Sequence, residues 1–569
     1  MKSFFKYLLV LVSGFVILFL MLFLVISSLA STEPVVPDEA YLHISLSGAL
    51  PDFAPSDPLQ ELTESRPLSL QSLRDVLEKA AVDERIKATV IYFNFPQLGM
   101  AQIEELRDAI ARYRESGKKI YAQLPMGFTR DYLLAAACDS VYMPVTANLF
   151  LTGISSEISH YKDLLGKIGV EAEYVHAGAY KTAPEQYTRA KASGAQKEVM
   201  NRLLDQMFEA IIAMISSSRD MDPKKVRELI DKTSGFTGRM AEEVGLIDRA
   251  RALRILEERF KQRGWEKISA RNYARIPVSS LGIRNKERIA VIEVQGVIAG
   301  GSNSDDPFLG TVAGSDDIIR DINKAVDSRS TAAIILRIDS PGGSAIHSDA
   351  IYEAVRHAAE KKPVIATIGD YGASGGYYVA LAADTIIANP LSLVGSIGVF
   401  AGKFNLKGLN NKIGVGVDQI TRGENASLFS TNSRWSASER RIMQGLIDRF
   451  YKYFVQLTAT HRKLDYEQAD KVAQGRVWSG KEGHEKGLLD MTGNFYTAVA
   501  LAKESAGIPE TTSVRLVYFP REKKLFAELF SFMSKAGNLL NLWQSPLEKL
   551  INDYQNRTLL IVPYKISWK

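Results

Sequence analysis

The 569-residue sequence is poorest in cysteine. Its one thiol, Cys138, rules out a disulfide framework or a cysteine-built metal cluster within the chain. Histidine is scarce too, with seven residues, and none lies between Ala358 and Thr460. A nucleophile in that interval has no histidine base following closely behind it. Charge of one sign is nearly lacking, since 70 Lys and Arg stand against 65 Asp and Glu. That mild, dispersed excess does not indicate a nucleic-acid partner. The remaining composition, 46% hydrophobic and 24% charged, is that of a globular protein, and the length suits two to four domains.

Residues 7–26 carry no charge and are long enough to cross a bilayer core of about 30 Å. Lys2 and Lys6 precede this run, and the nearest charge after it is Glu33. The positive-inside rule then puts the amino terminus in the cytoplasm and the body of the chain outside it. Residues 1–30 are expected to form a transmembrane anchor, with 31–41 as a linker. The competing reading is a cleaved leader ending at Ser28-Leu29-Ala30, although the apolar run exceeds the usual length of one.

After the linker, one pattern runs twice. Leu42–Gly48 matches Ala290–Gly296, Lys87–Asn94 matches Ala332–Asp339, and Ala137–Val141 matches Ala382–Ile386. Lys167–Val170 matches Lys412–Val415, and Gly245–Asp248 matches Gly487–Asp490. The offsets stay between 242 and 248, so few insertions separate the copies. The expected organisation is an α/β tandem duplication. One copy is expected at 42–270 and a second at 286–505, joined by 271–285, with a tail at 506–569.

Chemistry concentrates in the second copy. Val364–Ile368 reads as a buried strand and the stretch from Tyr377 as a helix, with Gly372-Ala373-Ser374-Gly375-Gly376 between them. A glycine-flanked serine at a strand-to-helix turn exposes its hydroxyl and aims the next backbone N–H at a developing oxyanion. Upstream, the strand-like Ile334–Asp339 ends in Ser340-Pro341-Gly342-Gly343, before a helical pattern through Ala359. Two such units in succession predict parallel βαβ, with both turns at the carboxyl end of the sheet. At offset 245, Gly342-Gly343 falls on Gln97-Leu98 and Ser374 on Thr129, so the first copy lacks both features.

The combination of Ser340-Pro341-Gly342-Gly343, Gly372–Tyr378, Asn389-Pro390 and Gly395-Ser396-Ile397-Gly398 resembles the signal peptide peptidase A (protease IV) family, in its large duplicated form. That family belongs to the Clp/crotonase-like serine peptidases, and the resemblance extends over most of the chain. It implies a membrane-anchored serine endopeptidase with a Ser/Lys dyad, acting on hydrophobic peptides, chiefly cleaved signal peptides. It implies no metal or cofactor, an inner-membrane location with an extracytoplasmic body, and a homotetrameric bowl. Ser374 takes the position of the nucleophile, and Gly342, Gly343 and Gly375 those of the oxyanion donors. Within Ala177–Glu185, Lys181 sits at the position of the general base, and Ser396 at that of the hydroxyl orienting it. The counterpart of Lys181 in the second copy is Ala426, so each copy keeps the part of the site that the other lacks. Whether Lys181 reaches the Ser374 of its own chain or a neighbour's stays open at this level.

Three other readings compete. Gly372-x-Ser374-x-Gly376 also satisfies the α/β-hydrolase elbow, with His461 or His484 as the histidine of a Ser-acid-His triad. A crotonase-type acyl-CoA enzyme shares the fold but needs no glycine-bracketed serine. A catalytically inactive membrane scaffold needs neither Ser374 nor Lys181. His347, just past Gly343, is the alternative base. In the tail, apolar residues such as Leu525, Leu529, Phe532 and Met533, interspersed with Lys523, Lys524 and Lys535, suit either docking on a membrane surface or packing on the body.

Overall fold

A computed structural model describes residues 34–54, 68–281, 287–306 and 309–520, with Tyr7, Gly14 and the backbone of Leu559–Ile561. The anchor expected at 1–30 and the apolar pattern of the tail lie outside these. Among the described residues, no helix is long and apolar enough to cross a membrane.

The first half contains β1 (Ala40–Ala49), α1 (Leu70–Val82), β2 (Ile86–Gln97), α2 (Met100–Glu115), β3 (Lys119–Gln123), α3 (Thr129–Ala135), β4 (Ser140–Met143), β5 (Asn148–Phe150), β6 (Glu171–Ala177), α4 (Gly194–Arg219), β7 (Arg249–Ala250) and β8 (Glu266–Ser269). The second half begins with β9 (Arg288–Gln295), β10 (Val297–Ala299), α5 (Ser315–Asp327), β11 (Thr331–Ser340), β12 (Gly342–Ser344), α6 (Ala345–Ala359), β13 (Val364–Ala373) and α7 (Gly375–Ala380). It continues through β14 (Thr385–Ala388), β15 (Leu393–Gly395), β16 (Val399–Asn405), α8 (Ala437–Arg462), β17 (Val477–Ser479), β18 (Met491–Thr492) and β19 (Arg515–Phe519), with β20 (Leu559–Ile561) last.

The duplication is visible strand by strand. The first sheet runs β8-β1-β2-β3-β4-β7, all parallel. The second repeats that order as β19-β9-β11-β13-β14-β18, again all parallel. Its first strand, β19, lies past residue 505, so the second unit is longer than the sequence pattern indicates. The β-branched runs of β2 and β11 are buried on both faces, as covered parallel strands require.

The same local devices also recur at the repeat offset. Lys118 Nζ donates to the Ala80 and Asp83 carbonyls at the end of α1. Lys362 Nζ does the same for Ala325 and Ser328 at the end of α5. Each lysine satisfies carbonyls that have no partner within the helix. The Tyr132 hydroxyl donates to the Leu246 carbonyl, and that of Tyr377 to Leu488. Ser193 and Ser436 each cap a 26-residue helix, α4 and α8, which end in left-handed residues Asp220 and Lys463.

Two features join the halves. Strand β6 of the first half pairs antiparallel with β16 of the second over seven residues, from Glu171↔Asn405 to Ala177↔Val399. Buried charges cross the other contact. Arg337 Nε lies 2.8 Å from Asp52 and its Nη1 3.1 Å from Glu105, which also pairs with Arg74. Asp370, four residues before Ser374, accepts the Ala101 N–H at 2.9 Å, at the start of α2.

Candidate active site

Ser374 stands between β13 and α7 with φ +55 and ψ −113. A non-glycine residue there stores about 1–3 kcal/mol of strain unless its surroundings hold it. Ser374 N–H donates to the Gly395 carbonyl at 2.7 Å, and its own carbonyl accepts Tyr378 N–H at 2.8 Å. Next to it, a Cβ on Gly375 would lie 2.5 Å from Ser348 Oγ and 3.1 Å from Gly343 N. Only glycine lets the elbow close on β12.

Lys181 lies in the loop that follows β6 and is 1% exposed. Its Nζ is 2.7 Å from Ser374 Oγ, 3.0 Å from Ser396 Oγ and 3.1 Å from the Ser396 carbonyl. Burial alone holds its pKa well below the usual lysine value, with no carboxylate opposing the shift. Ser396, also at positive φ (+51), donates its N–H to the Arg476 carbonyl at 2.7 Å. Lys181, Ser374 and Ser396 thus meet within one chain.

The three glycines differ in what they offer. Gly342 has φ +102, and its N–H donates to Ser340 Oγ at 3.2 Å. Gly342 makes the turn, which leaves Gly343 and Gly375 side by side as the pair available to an oxyanion. Gly375 N–H belongs to the first turn of α7, where no intrahelical acceptor exists.

Residues 474–476 have no signal in a single sequence, yet they brace the site. Tyr180 N–H donates to the Gln474 carbonyl, and Gly475 N–H to that of Ile397, both at 2.7 Å. A Cβ on Gly475, itself at φ +71, would sit 2.6 Å from both N and Cβ of Lys181. This segment therefore wedges the Lys181 loop against the Ser396 turn. Arg476 stacks on Tyr180 and Trp478, each 4.6 Å from its guanidinium, and pairs with Glu198 at 2.7 Å.

The histidines have other partners. His347 Nδ1 is 3.2 Å from Ser315 Oγ, His461 Nε2 is 2.7 Å from the Tyr352 hydroxyl, and His484 Nδ1 is 3.3 Å from the Leu489 carbonyl. Cys138 is buried, and burial pushes its thiol up to about 12, so it carries no reactive thiolate.

The corresponding place in the first half has been filled. Thr129, the counterpart of Ser374, is buried with its hydroxyl unpartnered. Phe95, Phe128 and Phe150 fall where the second half has Ser340, Ala373 and Gly395. The Phe128 ring contacts those of Phe95 and Phe150 at centroid distances of 6.2 and 5.8 Å. Ala426, the counterpart of Lys181, is exposed.

The sequence profile of Peptidase family S49 matches the chain twice, over residues 112–265 and 356–509. The chain belongs to Peptidase family S49. It is a duplicated member and a serine peptidase. The chloroplastic serine protease SPPA of Arabidopsis thaliana is 32% identical to it, across 82% of this chain and 70% of that protein. Protease 4 of Haemophilus influenzae is 28% identical over 88% and 85%, and Protease 4 of Salmonella typhi 30% identical over 80% and 74%. The fold is α/β with mixed sheets, as the duplicated pattern predicts.

Proposed function

We propose that Ser374 and Lys181 of one chain form the catalytic dyad of an endopeptidase that degrades hydrophobic peptides, cleaved signal peptides among them. The observation that carries this reading is the buried Lys181 amine 2.7 Å from Ser374 Oγ, with no carboxylate to keep it charged. A neutral amine has two N–H donors and one lone pair. The donors suit the Ser396 carbonyl and hydroxyl, and the lone pair suits the Ser374 O–H.

As the Ser374 Oγ–carbon bond forms, Lys181 takes the hydroxyl proton. Gly343 and Gly375 N–H groups hold the oxyanion, a contribution worth about 10²–10³ in rate per donor. The carbon–nitrogen bond then breaks, and the Lys181 ammonium returns its proton to the leaving amine. Water, deprotonated by Lys181, hydrolyses the ester and restores Ser374. The finer assignment to the Clp/crotonase-like fold, the anchor at 7–26, an extracytoplasmic body at the inner membrane and assembly as a homotetramer belong to the same proposal. They rest on the sequence features and the family resemblance.

A fluorophosphonate probe with peptide mapping tests the dyad. Wild type should label at Ser374, and Lys181→Met should label at least 100-fold more slowly. A protein with both His461→Ala and His484→Ala should label at the wild-type rate. Undiminished labelling of the methionine variant would reject the dyad. Loss of labelling in the histidine variant, with its fold intact, would favour the Ser-acid-His triad.

A further inference from the structure

The seven-stranded sheet that crosses the two halves contains a strand from the far end of the chain. Its order around the site is β10-β12-β20-β16-β6. Strand β20 pairs antiparallel with β12 through Gly342↔Ile561, Gly343↔Leu560 and Ser344↔Leu559. On its other side it pairs antiparallel with β16 through Phe400↔Leu559. Strands β12 and β16 therefore run parallel to each other with one strand-wide slot between them, about 9.6 Å across. One wall of the slot is the Gly342-Gly343 turn, against which the Ser374–Gly375 elbow closes. The other is the strand that leaves the Ser396–Gly398 turn holding Lys181. Without β20, both walls are unpaired edges, which accept an extended peptide through backbone hydrogen bonds.

We propose that this slot is the substrate channel and that residues 559–561 of the same chain occupy it as a built-in competitor. The inference rests on the peptidase reading of Ser374 and adds how substrate binds and what excludes it. The segment is Leu-Leu-Ile, followed by Val562 and Pro563, and so has the apolar character proposed for the substrates. Thirty-eight residues, 521–558, tether it to β19 and the body. Flexible tethers give effective concentrations of about 1 mM, so a segment binding with a Kd of about 0.1 mM would raise the apparent KM about tenfold. Such a competitor changes KM and leaves kcat alone.

Two changes to the full chain test this: deletion of residues 559–569, and Leu560→Pro, which removes a backbone N–H from the strand. Both should lower KM for a fluorogenic apolar peptide about tenfold at constant kcat. A labelled peptide spanning residues 557–564 reports binding without turnover. In a Ser374→Ala background it should bind the deleted chain about tenfold more tightly than the full chain, at every protein concentration. Equal binding to both chains would overturn the proposal even if the protease is active. Occupancy of the full chain that grows with protein concentration would overturn it too, because the tail would then come from a second copy. The binding arm needs no catalysis, so an inactive wild type would count against the dyad and leave this result readable.

Discussion

Methionine at position 181 would remove the amine while keeping an unbranched side chain of similar length. The structure sets two opposing effects. Ser374 and Ser396 are fully buried and would lose the Nζ partner, at about 1–3 kcal/mol for each group left unsatisfied. Against this, the variant no longer has an amine to strip of water. Burial holds the folded pKa of Lys181 well below its value of about 10.4 in the unfolded chain. Between those two values the unfolded state binds the extra proton. Wild-type stability therefore rises with pH, by about 1.4 kcal/mol per unit. The penalty grows as pH falls through this window and is complete below the folded pKa. The methionine variant has no proton to exchange at this site. Urea melts of both proteins at half-unit steps from pH 6 to 10, following the first unfolding transition, isolate the difference, because contributions common to both cancel. Wild type should gain on the variant by about 2.7 kcal/mol over any two pH units inside the window. Parallel stability curves would refute the reasoning, because Lys181 would then be protonated in the fold and unable to accept the Ser374 proton.

Three further substitutions probe its supports. Ser396→Ala removes one acceptor of Lys181, worth about 1 kcal/mol or more; kcat should fall about tenfold. The acid limb of its pH–rate profile should move to lower pH, because the charged amine loses a stabilising contact. Gly475→Ala forces a Cβ to 2.6 Å from Lys181; kcat should fall about 10²-fold with KM and circular dichroism little changed. Arg337→Met strands Asp52 and Glu105 in the interior and should cost about 3–5 kcal/mol, read as a lower Tm.

Much of the architecture was legible because duplication writes itself into spacing. The offset of 245 that aligns Ser374 with Thr129 also aligns Tyr377 with Tyr132 and Lys362, within a residue, with Lys118, and in the fold these pairs make equivalent hydrogen bonds. Strand β13 runs on to Ala373, past the apolar stretch Val364–Ile368, because pairing with β15 continues where the hydrophobic pattern stops. The Gln474–Arg476 brace was invisible, since its role depends on backbone geometry rather than on residue type. The Arg337–Asp52 pair was equally hidden: its two residues lie 285 positions apart, and nothing local marks either as buried. Gly342 shows a subtler limit. A Gly-Gly turn announces free N–H groups, but Ser340 in the same motif occupies one of them.

The wedge of Gly475 between Lys181 and Ile397 has a consequence for synthesis. The ribosome makes Lys181 first, Ser374 much later, and Gly475 some 294 residues after Lys181. At about 5–20 residues per second, that interval lasts about 15–60 s. Throughout it the growing chain carries a lysine with no serine, then a serine whose lysine is not yet braced. A message cut short anywhere before that glycine yields a product that cannot cut its neighbours.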